Sequence, residues 1–257
     1  MGVAMNTIIV VNIIIGFLLG STSVSGFLLP IFYHESLKLN ASATLSVSFF
    51  VFFIAGIIAS YIYYKKGDLD LKLSCVMGIG SFVGAIIGVF LNSLIPERIV
   101  IVILYVVVLL SGISIIVRTY TSPKSQRNDS PNKILSNNIF VVTFGLLTSI
   151  ICSFSGAGGP VLVMPLLVAL GLNARVAIGV ALFDSVFIAL PAFVGYTLKS
   201  NTHSIMYLFI LSSIALSIGV VSGSLVVNKI PQKPLKLAIA IFPIAIAIWK
   251  LFQLQKG

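Results

Sequence analysis

Eight apolar runs follow one another along this chain, roughly at residues 7–33, 44–64, 72–95, 98–118, 138–171, 176–198, 205–228 and 235–254. A helix that crosses a bilayer needs about 20 mostly apolar residues, and these runs reach that length. A soluble fold would have to cover all of them with polar surface, which the chain lacks. Only 9% of its residues are charged, against 58% hydrophobic, whereas a soluble domain carries about 25% charged residues. Lipid is therefore the solvent for most of the chain. The fold class that follows is all-α, a polytopic membrane protein of about 7–8 transmembrane segments.

The 16 Lys+Arg outnumber the 6 Asp+Glu, giving a net charge of +10. The basic residues stand between the apolar runs, where cytoplasmic loops collect them, so the excess speaks of topology and not of nucleic acid. Met1 to Asn6 contain no Lys or Arg and no A-x-A site follows, so the first run does not read as a cleaved signal peptide. Cys75 and Cys152 lie inside apolar runs without metal-ligand spacing and are expected to be small buried hydrophobes. His34 and His203 lie near loops. No metal site and no cofactor is expected.

One long polar stretch, TYTSPKSQRNDSPNKILSN at 119–137, is rich in Ser, Pro, Asn and charge and reads as a linker. It divides the chain into a first transmembrane repeat at 1–118 and a second at 138–257. The halves resemble each other. Pro30 and Pro165, Tyr61 and Tyr196, Gly84 and Gly219, Gly88 and Gly223, and Ile95-Pro96 and Ile230-Pro231 share one offset of 135; Leu39-Asn40-Ala41 and Leu172-Asn173-Ala174 pair at 133. Such repeats are frequent in secondary transporters, whose binding site lies where the repeats meet.

The opening run of each half is too long. As one straight helix, 138–171 would extend about 50 Å at 1.5 Å per residue, across a hydrocarbon core about 30 Å thick. It is interrupted by SGAGGP at Ser155–Pro160, and the first half by GSTSVSG at Gly20–Gly26. Each half thus opens with a Gly-broken or re-entrant helix. If each opening run crosses once, the loop Lys and Arg divide 10 to 6 between the faces; if both re-enter, 11 to 5. The positive-inside rule favours re-entry, which leaves an odd number of crossings per half and inverts one repeat against the other. Either way the linker 119–137 is cytoplasmic.

Non-helical backbone at membrane depth is tolerated only against protein or a watery cavity. Gly156, Gly158 and Gly159 let a ligand approach the main chain. The helix starting near Pro160 aims its free N–H groups and positive dipole end at that place, which suits an anion. Ser153 and Ser155 could add hydroxyl donors, with Ser21, Thr22, Ser23, Ser25 and Gly26 in the equivalent place of the first half. The competing reading is that these are small residues for close helix packing, the role assigned to Gly80, Gly84, Gly88, Gly219 and Gly223. No G-K-[ST] follows, so the break is not a nucleotide loop. Asp184 is the one acid of the six inside an apolar run; an intramembrane carboxylate faces a cavity or a partner, and Asp184 is the candidate proton carrier. Arg175 reads as a loop anchor.

GLLTSIICSFSGAGGPVLVMPLLVALGLNARVAIGVALF resembles the glycine-rich opening of the second half in the TauE/SafE family of sulfite exporters. YYKKGDLDLKLSCVMGIGSFVGAIIGVFLNSLIPERIV resembles the matching first-half pattern. The resemblance covers nearly the whole chain and implies transport of sulfur-containing anions such as sulfite and organosulfonates. It carries Gly156, Gly158, Gly159, Pro160 and Pro165, with Gly20, Gly26 and Pro30, as family positions. Two departures bear on the substrate: the first-half motif lacks the paired glycines, and Asp184 stands where a small polar or apolar residue is expected.

The reading is a multi-pass cell-membrane secondary transporter, an exporter of a small anion, with proton coupling as an option and no catalytic residues. Its partners are the anionic substrate and the lipid bilayer; a homo-oligomer is compatible with such a chain. The alternative is an intramembrane enzyme or a non-transporting assembly partner. No H-E-x-x-H and no second intramembrane acid beside Asp184 supports the enzyme.

Overall fold

The structure, a computed structural model, describes residues 2–23, 25–94, 134–200 and 205–229 continuously, with single positions between 106 and 117 and between 231 and 252. Most of the runs at 98–118 and 235–254, and of the linker 119–137, lie outside the described residues. So does the Ile95-Pro96 pair.

Among the described residues there are eight α-helices and no strand: α1 (Gly2–Thr22), α2 (Leu28–Leu37), α3 (Ala41–Lys65), α4 (Leu71–Leu91), α5 (Asn138–Ser155), α6 (Gly159–Ala169), α7 (Ala174–Leu198) and α8 (Met206–Val226). Six of them, all but α2 and α6, are long and apolar enough to cross a membrane. The 10 residues of α2 and 11 of α6 reach only about 15 Å, half the hydrocarbon core. Large apolar side chains point away from the protein along the spans, among them Ile79, Phe90, Ile139 and Ile210, as lipid-facing positions do.

Side-chain contacts fix the helix directions. Along α3 and α7, Ser46 meets Thr197, Phe50 meets Phe193 and Gly56 meets Ser185, so these two helices are antiparallel. Gly80, Gly84 and Gly88 of α4 lie against Val142, Leu146 and Ile150 of α5 in rising order, so that pair is parallel. Gly16 and Gly20 of α1 lie against Leu216 and Val220 of α8, again parallel. The Lys66 amine, just past α3, donates to the Ser224 carbonyl near the end of α8, and Lys199, just past α7, donates to the Val89 carbonyl near the end of α4 at 2.8 Å. Hence α1, α3 and α8 run one way and α4, α5 and α7 the other.

The two parallel pairs are glycine-seamed. A Cβ added at Gly80 would sit 2.0 Å from the Val142 carbonyl oxygen, and one at Gly223 would sit 2.1 Å from that of Phe17. Backbone therefore touches backbone, as small-xxx-small faces permit where no water drives association. Facing outward from the α4–α5 seam is the stripe Cys75, Ile79, Phe82, Ile86 and Phe90. Cys75 shares this exposed face, which corrects its expected burial; Cys152 is buried as expected.

Local chemistry starts and stops the helices. Asn40 and Asn173, at the centres of the two Leu-Asn-Ala triplets, cap α3 and α7 by accepting from the Ala43 and Arg175 amides. Asp70 caps α4 and Asn137 caps α5 in the same way. In the α3–α4 turn, burial pushes the Asp68 carboxyl up from its ordinary pKa, while the Arg175 and Lys66 cations pull it down.

Candidate functional site

Each opening run breaks and turns back. In the second half, α5 stops at Gly156 (φ 70°) and α6 starts after Gly158 (φ 76°), both in the left-handed region that glycine enters without a Cβ clash. Pro160 stands in the first turn of α6, where its missing N–H costs nothing. In the first half, the left-handed position is Ser23 (φ 65°), followed by a 3-10 turn at Ser25–Phe27 and then α2. A non-glycine residue there stores roughly 1–2 kcal/mol. Both returns are documented by contacts: the Ser25 hydroxyl donates to the Ile15 carbonyl at 3.1 Å and the Tyr33 hydroxyl to Asn12 Oδ1 at 2.7 Å, ever further back along α1. The second half is tied by Cys152 Sγ to the Gly159 carbonyl at 3.7 Å.

The two breaks meet. A Cβ built on Gly26 would lie 3.3 Å from the Ala157 carbonyl oxygen and 3.4 Å from the ring of Phe52. One built on Gly158 would lie 3.0 Å from the same ring. Phe52 is at the middle of α3, so the meeting point is at mid-depth. On the other side, Gly159 lies against Ser185 and Ile188 at the middle of α7. Gly158 contributes no capping side chain to α6; in its first turn the Val161 amide donates to the Gly158 carbonyl at 3.4 Å and the Leu162 amide to the Cys152 side chain.

The expected hydroxyl donors are placed differently from one another. Ser21, Thr22, Ser153 and Ser155 donate back to the Phe17, Leu18, Ser149 and Ile151 carbonyls of their own helices. Ser25 is engaged with Ile15, and the Ser23 hydroxyl alone is buried without a partner. Ser23, Ser25, Gly26, Ser153, Gly156, Gly158, Gly159 and Pro160 are buried; Thr22 and Ser155 are half-buried.

Asp184 is fully buried on α7, one residue before Ser185. The Ser81 hydroxyl of α4 faces it, yet neither carboxyl oxygen accepts a hydrogen bond of ordinary geometry. Cys152 is the other polarisable neighbour. Asp184 therefore sits behind the second break, between α4, α5 and α7. Among the described residues no group of three or more His, Cys, Asp or Glu could hold a metal ion.

Sequence reasoning missed two residue pairs. The residue matching Tyr196 in place and partner is Tyr63, not Tyr61: Tyr63 is buried and donates to the Gly20 carbonyl, Tyr196 is buried and donates to that of Ser153, while Tyr61 is exposed. Lys66 and Lys199, each three residues further on, are the second pair. An offset of 133, already present in the Leu-Asn-Ala triplets, aligns both. It also aligns Ser23 with Gly156 and Gly26 with Gly159.

Six apolar spans with two half-helices turning back between them make this a multi-pass α-helical protein of the cell membrane. The chain belongs to the sulfite exporter TauE/SafE family, whose model matches residues 4–250, and it is a membrane transporter with a small-molecule substrate. It is similar to the "Probable membrane transporter protein YdhB" of Bacillus subtilis (strain 168), 24% identical over 252 residues that cover 95% of this chain and 99% of that protein. No solved structure matches it.

Proposed function

We propose that this protein is a secondary transporter of a small anion, sulfite or an organosulfonate, bound between its two helix breaks and moved by alternating access of two inverted repeats. The observation that carries the reading is the contact of Gly26 with Ala157, because it joins two interrupted helices at one mid-depth point. Main-chain amides at a helix start favour an anion, and glycines there leave room for it. Support for inverted repeats comes from helix lengths and directions. The 25-residue α3 and α7 are antiparallel, and the 21-residue α4 and α8 run oppositely as well. The Lys66 and Lys199 contacts stand one at each membrane face, as the two halves of an inverted pair would place them.

Asp184 is the proton-coupling residue of this proposal. A buried carboxyl with no closed hydrogen bond is cheap to keep only when neutral, so taking up and losing a proton ties its charge to the arrangement of α4, α5 and α7. Purified protein in liposomes, given labelled sulfite with and without a proton gradient, tests the reading. Flux above that of empty liposomes, and faster with the gradient, is expected; flux equal to empty liposomes overturns it.

A further inference from the structure

Phe52 touches both breaks. Its ring packs within contact distance of Gly26 on one edge and of Gly158 on the other, and it is 2% exposed. At the position 133 residues later the second half carries Ser185, whose hydroxyl is turned to the Leu182 carbonyl of its own helix at 2.6 Å. One side of the junction is therefore filled by an aromatic ring, and the other by Ser185 with the Ile188 side chain beside it. The ring is held from behind. Phe49 meets it edge-on at 6.1 Å and 81°, and Phe49 in turn stacks on Tyr196 at 5.8 Å and 2°.

We infer that Phe52 is the plug of the substrate site and sets the size of anion admitted. The inference rests on the site proposed above. The glycines at 26 and 158 leave the backbone bare, yet the space they leave is occupied by the ring. An anion reaching the amides of α6 must displace it, and how far it swings fixes how large the anion is. Phe52 is a specificity determinant, in contact with the substrate's path and without chemistry of its own.

The test uses a reporter that does not depend on knowing the substrate. Ala157→Cys is introduced into the full chain with Cys75→Ser and Cys152→Ser, and its labelling rate by an anionic, membrane-impermeant methanethiosulfonate is measured. A plug that opens only in a minor state keeps the rate low, so adding Phe52→Leu raises it by about tenfold or more. Phe50→Leu is the control, because Phe50 lies beside Phe52 on α3 but packs on Phe193 and Phe209; it leaves the rate unchanged. In flux assays Phe52→Leu shifts selectivity from sulfite toward the larger sulfoacetate, by roughly tenfold as for a pocket altered by a methylene or two. Equal labelling in Phe52→Leu and its parent, or an equal rise in Phe50→Leu, overturns the plug. Failure of the site itself reads differently: Gly158→Leu would then keep full flux whatever Phe52 does.

Discussion

The Tyr196 hydroxyl donates a 2.8 Å hydrogen bond to the Ser153 carbonyl, one of the acceptors that the end of α5 sets free. Tyr63 does the same to Gly20 at the end of α1, also at 2.8 Å. Each tyrosine follows its acceptor by 43 residues. A helix broken inside a membrane exposes carbonyls that no water can satisfy. Here a tyrosine from the next long span supplies the donor, once in each half.

Tyr63→Phe and Tyr196→Phe should therefore have matching effects. Tyr196→Phe takes the tyrosine donor from the Ser153 carbonyl and Tyr63→Phe leaves the Gly20 carbonyl only the longer 3.4 Å bond from the Ser224 hydroxyl, each at a cost of about 1–3 kcal/mol with little change in packing volume. Thermal unfolding in detergent should show both variants destabilised to a similar extent, and Tyr61→Phe unaffected, since Tyr61 is exposed.

The glycine seams give a sharper contrast. Gly84→Ala would put a methyl 2.3 Å from the Leu146 carbonyl oxygen, and Gly219→Ala would put one 2.2 Å from that of Ile13. Backbone must move in both, so the yield of monodisperse protein should fall severely. Gly67→Ala meets nothing within 4 Å but has φ +74°, so it should cost only about 1–2 kcal/mol of left-handed strain. Size-exclusion profiles and melting temperatures separate the two kinds of loss.

Asp184→Asn removes the charge change and keeps the shape. The Ser81 hydroxyl that faces the carboxyl can face the amide as well, so the variant should fold as the parent does. Uptake into liposomes should no longer respond to a proton gradient, while exchange of labelled for unlabelled anion persists. Gradient-driven uptake at the parental rate would remove Asp184 from the coupling.

Much of the fold was legible because lipid imposes simple rules. Run length pointed to the spans, and the clusters at Ser155–Pro160 and Gly20–Gly26 pointed to the breaks, since runs too long for one crossing must be interrupted where the residues best tolerate it. Asn40 and Asn173 stood out in the sequence only as matching triplets, and their capping of α3 and α7 is seen in the structure. What escaped depends on contacts between distant segments. Phe52 reads as one more apolar residue of α3 until its ring is seen against Gly26 and Gly158. Tyr63 was hidden by Tyr61, two residues away and facing lipid, because matching by identity at the wrong offset ignores which side of the helix a residue occupies. The serines of the breaks attracted notice as donors, yet Ser21, Ser153 and Ser155 satisfy carbonyls of their own helices, the usual use of a hydroxyl in an apolar helix.

The shared site at the two breaks is tested most directly by labelled-sulfite flux through Gly158→Leu in liposomes, beside the parent and beside Ile79→Leu, a conservative change on the lipid face. The added side chain meets the Phe52 ring and a φ of +76°, so insertion and size-exclusion behaviour are established first, and Gly26→Ala, whose methyl would stand 3.3 Å from the Ala157 carbonyl oxygen, is the milder second variant at the same junction. Flux lost to the level of empty liposomes, with Ile79→Leu at the parental rate, is the expected result. A correctly folded Gly158→Leu that carries sulfite at the parental rate would contradict a substrate path through this junction.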